Sequence, residues 1–216
     1  MHMVERYQRS FEEFVHRHAG LILLLGACFV IGVVFGGLAV RGVAPHDRAE
    51  VVSYLGETMD RIRHPEASDH GLVFKRSLIR SLAEVGVLWG LGITMVAVPC
   101  ALAGALVFGF VSGFTVAFLT AELGWGGLLL AVAGHLPHNV LVIPALLLGG
   151  AAAAAFSLQV LRSWIQRRRV PNFYPALARF TGATLVMGLI LLVASLIEGY
   201  VTPELAKWAA SLLHLS

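Results

Sequence analysis

Charge is what this sequence has least of. Asp, Glu, Lys and Arg make up 13% of its 216 residues, about half the share of roughly 25% usual in a soluble domain. The deficit is deepest in the middle. Between Glu84 and Arg162 there is no Lys or Arg, and Glu122 is the only carboxylate. That gap is too long for a core element of a soluble protein, whereas a bilayer-spanning helix needs about 20 apolar residues. Cysteine is nearly absent as well. Cys28 and Cys100 are the only two, which excludes a disulfide framework or a zinc ribbon. Strong basicity is missing, too. A formal net charge of +3 gives no reason to expect a nucleic acid partner, and basic residues near helix ends are the usual membrane-surface pattern. A cleavable leader is not expected. Glu5, Glu12 and Glu13 are mixed with the basic residues near the start. The apolar run 20–40 is too long for a signal-peptide core and lacks a small-x-small cleavage site.

What remains is apolar sequence arranged in spans. The chain reads as an all-α integral membrane protein. It is expected to be a bundle of about five transmembrane helices, with one re-entrant half-helix and short amphipathic surface helices. Residues 1–19 form a charged arm with Phe11, Phe14 and Val15 at helical spacing. A single bundle follows over residues 20–200, with spans expected at 20–40, 78–99, 101–120, 140–164 and 176–197. Pro99 is taken to mark the tight connection between the second and third spans.

Within the bundle, residues 41–77 are the one sizeable polar segment, expected to lie outside the cytoplasm. There Asp47 and Glu50 resemble a capping box, and Val51, Val52, Leu55, Met59 and Ile62 line one face of an amphipathic helix. The stripe could bind a partner, or pack on the bundle or the lipid surface. Residues 125–134 are too short to cross a bilayer and run into His135-Leu136-Pro137-His138-Asn139. This is the expected half-helix, tolerated at depth only where protein or a water-filled cavity covers it. Residues 201–216 read as an amphipathic tail helix with Pro203 in its first turn.

The basic cluster Arg162 to Arg169 argues for a cytoplasmic loop, which with five spans puts the N-terminus inside and the C-terminus outside. The basic residues of the 41–77 segment pull the other way. Gly32 with Gly36, Gly86 with Gly90, and Gly109 with Gly113 each repeat at four-residue spacing. Such pairs let helix backbones approach closely, within the bundle or in a homodimer.

Four ionisable residues at membrane depth need a reason to be there: Glu84, Glu122, His135 and His138. Each costs roughly 2.5–3.5 kcal/mol to insert. Two imidazoles and one or two carboxylates could ligate zinc. However, the His135–His138 spacing is not that of the zinc proteases, and Pro137 between them prevents a regular helical pair. Otherwise no cofactor is expected. The alternative is that His138 and Asn139 satisfy backbone groups freed by Pro137.

Several stretches together resemble the stage II sporulation protein M family. They are Leu91-Gly92-Ile93 before Val98-Pro99, the run Gly109 to Leu119, Leu136-Pro137-His138-Asn139, and Ile143-Pro144-Ala145. Phe156-Ser157-Leu158 and Tyr200-Val201-Thr202-Pro203 complete the series. The resemblance implies a scaffold in the cell membrane, in spore formers the membrane around the engulfed forespore. Such a scaffold recruits membrane-associated peptidoglycan hydrolases and performs no hydrolysis itself. Protease-type nucleophile and triad signatures are missing here. Two rivals stay open: a transporter or permease component, and a metal-dependent intramembrane enzyme using the His135/His138 cluster. The lipid bilayer is a partner under every reading.

Overall fold

The computed structural model describes residues 2–44, 46, 70–94, 96–165, 173–201 and 204–205. The apolar stripe of the 41–77 segment (Val51, Val52, Leu55, Met59 and Ile62) lies outside them. So does most of the expected tail helix. Among the described residues the secondary structure is entirely helical: α1 (His2–Ala39), α2 (His70–Ile93), α3 (Ala97–Ile165) and α4 (Phe173–Leu196). A short 3-10 turn, Val40–Gly42, ends α1, and a π-helical turn, Ile197–Val201, ends α4.

The helices are apolar outside because no polar residue interrupts them for long. Segments Val15–Gly42, Ala97–His135, Pro137–Ile165 and Phe173–Val201 are each long and apolar enough to cross a membrane. Leu23 is 73% exposed and Trp125 83%. Such surfaces suit lipid, not water. The buried core is built largely from small residues, with Ala151, Ala152, Ala153 and Ala154 all inside. Lipid tails give no hydrophobic drive for helix association, so close backbone approach does that work. α2 is the polar exception, carrying Lys75, Arg76, Arg80 and Glu84.

Helix α1 bends at His18, whose φ of −112° and ψ of 15° leave the helical region. α3 holds 69 residues, about 100 Å if straight. It is folded into a hairpin at Gly124, with φ 58° and ψ −137°, a conformation glycine adopts freely. Immediately beyond, Gly127 packs so tightly that a Cβ there would run into the Leu119 carbonyl. Leu119, Leu130 and Ala131 form a cluster at this apex. At the other end of the hairpin, a Cβ on Gly150 would sit 3.7 Å from the Ala101 Cβ. The two arms therefore run antiparallel along their length.

The remaining contacts fix the other directions. Gly32 meets Leu106 and Gly36 meets Phe110, so α1 runs parallel to the first arm of α3. Gly149 of the second arm meets Met187 of α4, and Phe156 stacks on Phe180 with ring centroids 5.0 Å apart. Trp89 of α2 donates to Thr181 of α4 at 3.2 Å, and Ser77 to Glu198 at 2.6 Å. Both pairs are antiparallel. Five helical segments thus alternate in direction along the chain.

Two expectations about punctuation are corrected. The connection after α2 is at Thr94, not Pro99. The Thr94 hydroxyl and N–H both bond the Leu91 carbonyl, and Ser157 Oγ donates to the Thr94 carbonyl at 2.7 Å. Pro99 falls in the first turn of α3, where its missing N–H leaves nothing unpaired. Nor does the helix end at Pro137. α3 carries Pro137 and Pro144 inside it, and the break lies at Gly124. A proline deletes one ladder bond and kinks a helix, but within a packed bundle the helix can continue past it.

Candidate functional site

The glycines expected to pack helices divide sharply. Gly32 and Gly36 of α1 interlock with Gly109 and Gly113 of α3. An added Cβ at any of the four would strike a main-chain carbonyl, of Leu106, Phe110, Phe29 and Val33 respectively. Gly86 and Gly90 do not take part. Nothing lies within 4 Å of a Cβ at either, and both are on the exposed face of α2. On that helix the close approach uses Gly92, where a Cβ would meet the Phe180 ring.

Where α2, the second arm of α3 and the end of α4 meet, the core turns polar. Ser77 is buried, and its Oγ donates to Glu198 Oε2 at 2.6 Å. One turn along, Ser81 and Ser195 hydroxyls lie 3.0 Å apart, and Ser195 also donates to the Leu191 carbonyl at 2.9 Å. Glu198 stands in the π-turn, a wide backbone geometry frequent at functional positions. Gly199 allows this turn to approach α2, since a Cβ there would sit 2.8 Å from the Phe74 Cβ. Arg80 Nε donates to Glu84 Oε1 at 3.0 Å.

His138 and Asn139 face this seam from α3, each only 6% exposed. Their Nδ1 and Oδ1 atoms are buried without a hydrogen-bond partner among the described residues, as is the Oγ of Ser112. Glu198, Arg80 and Glu84 lie close enough for their charges to act on His138. The hairpin register that joins Leu119 to Leu130 and Ala101 to Gly150 puts Ser112 at the height of His138 and Asn139. Three unmet polar atoms at one level are unusual, because buried polar groups are nearly always paired. Buried polar atoms left unmet by protein groups are commonly satisfied by ordered water.

His135 stands one turn from His138, ring centroids 5.7 Å apart and nearly perpendicular. Glu84 is within electrostatic range of His138 but pairs with Arg80. Glu122 is near the Gly124 apex, about two to three helical turns above the level of the histidines. Among the described residues no three His, Cys, Asp or Glu side chains gather into a group able to hold a metal ion. The expected zinc set therefore contributes a histidine pair rather than a complete shell. The expected capping of a Pro137 break is not made by His138 Nδ1 or Asn139 Oδ1.

The stretches that resemble a known family are now placed. The Gly109–Leu119 run supplies the α1 interface, Leu136–Asn139 the polar seam, and the segment at Tyr200 the π-turn beside α2. The profile of that family, stage II sporulation protein M, matches residues 25–203. The chain belongs to the stage II sporulation protein M family. No curated protein and no solved structure matches it significantly. The match begins inside α1 and ends just past the π-turn, so it takes in both the glycine interface and the seam.

Several seam residues are absent from the sequence-based candidates: Ser77, Ser81, Ser112, Ser195 and, as a functional group, Glu198, while Asn139 enters there only as a partner for backbone freed by Pro137. A signal for some was present. Ser77 and Ser81 are four apart, and Ser195 and Glu198 three apart, each pair on one face of its helix. Hydroxyls on one face of a spanning helix are a common way of bonding across to a neighbour.

Proposed function

We propose that this protein is a multi-pass scaffold of the cell membrane that recruits peptidoglycan hydrolases. The carrying observation is the family match over residues 25–203. The fold is compatible with the role. Its helices interlock through backbone contacts at Gly32, Gly36, Gly109 and Gly113, as a rigid membrane platform would. The alternating directions support five spans, with α2 the most polar of them. The basic residues at 162–169 favour the N-terminus inside and the C-terminus outside. The 41–77 segment then lies outside, on the side where peptidoglycan is. Its stripe (Val51, Val52, Leu55, Met59 and Ile62) is the proposed contact surface.

The test is co-purification of cell-wall hydrolases from cross-linked membranes. Wild type is compared with a variant carrying Leu55→Asp, Met59→Asp and Ile62→Asp. The variant is expected to insert normally and lose at least about tenfold in hydrolase recovery, as expected when a central apolar anchor is replaced by charge. Hydrolases recovered equally from membranes without the protein would sink the scaffold reading. Full recovery with the variant would move the contact away from the stripe.

A second reading is favoured by one observation, the unmet polar atoms at Ser112, His138 and Asn139. Buried ionisable groups in spans commonly mark solute or proton paths. A transporter component would lose flux in a His135→Ala/His138→Ala variant that still recruits its partners. The re-entrant reading of residues 125–134 belongs with this alternative. A metal-dependent enzyme has less support, since only the histidine pair converges.

A further inference from the structure

At the end of the bundle opposite the polar seam is a cavity of about 290 Å³ between α1, α3 and α4. Its polar lining is Arg17, His18, Gln159 and Arg179, with no Asp or Glu among the described residues that line it. Its apolar floor includes Ala155, Phe156, Phe180 and Ala183. Neither arginine is ion-paired to a carboxylate among the described residues. Arg179 uses Nε to donate to the Pro175 carbonyl at 3.2 Å. That bond leaves its two terminal nitrogens for another acceptor. Arg17 stands next to the bend at His18.

We propose that this cavity binds an anionic phospholipid. Arg17 and Arg179 take its phosphate, and an acyl chain lies along the alanine- and phenylalanine-lined floor. Charge complementarity supplies the first half of the argument. Two guanidinium groups from different helices line the cavity with no carboxylate among the described residues, and a guanidinium presents paired donors to phosphate oxygens. The floor supplies the second half. Small side chains leave a groove between α3 and α4, and a free phosphate has no use for one. Its position supplies the third. The basic residues at 162–169 mark the same end of the bundle, and the positive side of a membrane protein faces the leaflet rich in anionic lipid. The proposal is independent of any partner on the opposite side.

The experiment uses the full chain, purified in a zwitterionic detergent and examined by native mass spectrometry with added lipid. Phosphatidylglycerol is compared with phosphatidylcholine, and a thermal-shift titration with inorganic phosphate forms a third arm. Wild type is expected to retain phosphatidylglycerol in preference to phosphatidylcholine. An Arg17→Gln/Arg179→Gln variant should lose that retention at least about tenfold. Arg162→Gln removes one charge from the same end outside the cavity and should change little. Arg17→Lys/Arg179→Lys should recover part of the binding. Ala183→Leu keeps both arginines but fills the groove, and should also release the lipid. Equal retention of the two lipids, or loss with Arg162→Gln as large as with the double variant, would overturn the site. Stabilisation by inorganic phosphate as strong as by lipid would overturn the lipid in favour of a free anion.

Discussion

At the scale of single residues, the polar seam is a set of unequal bonds. Ser77 gives Glu198 a short hydrogen bond at a buried position, and no other described side chain is seen to replace it. Ser77→Ala is expected to lower stability by about 1–2 kcal/mol, because it removes a donor to a carboxylate that stays in place. His138 is the opposite case. Its Nδ1 already lacks a partner, so a leucine of similar volume removes a desolvation penalty rather than a bond. His138→Leu should therefore leave the unfolding midpoint in a sodium dodecyl sulfate titration unchanged, or raise it. A loss of about 2 kcal/mol or more would mean that bound water or a solute completes the histidine's bonding. The two variants together separate a seam that holds the fold from one retained for another purpose.

Helical elements were the most legible part of the sequence, and their ends the least. Long apolar runs announce spans whatever their neighbours do, so α1, α3 and α4 follow from composition. The ends depend on contacts that no local pattern carries. Pro99 and Pro137 looked like breaks, yet one sits harmlessly in a first turn and the other inside a helix held by its bundle. Thr94 and Gly124 make the turns instead, through a hydroxyl bond and a positive φ.

The glycine pairs show the same limit. Three pairs with identical spacing were present, and only a helix with the right neighbour can use one. Gly36→Val is expected to cost about 1–3 kcal/mol, since a side chain there must push the Phe110 backbone aside. Gly86→Val should change stability by about 0.5 kcal/mol at most, because open space surrounds it. Comparison of the two in the same detergent titration checks the assignment. A large loss at Gly86 would mean that this face of α2 is covered, as a homodimer would cover it.

The whole molecule is organised by alternation. Neighbouring contacts give α1 up, α2 down, the first arm of α3 up, its second arm down, and α4 up. This order puts the end of α1, the start of α2, the Gly124 apex and the π-turn at one end. The Thr94 turn, the end of α3, the start of α4 and the His18 bend lie at the other. The polar seam and the arginine cavity are thus at opposite ends, and a bilayer would separate the chemistry available to each. The arrangement makes a strict prediction once Cys28 and Cys100 are replaced. Single cysteines introduced at Ser53 and Leu123 must react alike with a membrane-impermeant thiol reagent, and cysteines at Arg169 and His16 must react in the opposite way. With the N-terminus inside, intact cells should label the first pair and only opened cells the second. The reverse pattern would keep the bundle but turn it over. The proposed hydrolase contact would then face the cytoplasm, where there is no peptidoglycan to cut. A mixed pattern within either pair would instead require a segment that enters and leaves on the same side. The re-entrant reading of residues 125–134 would return, with the seam exposed to both compartments in turn. The labelling therefore tests the scaffold and the transporter readings through a single geometric fact, the side on which each end of the bundle lies.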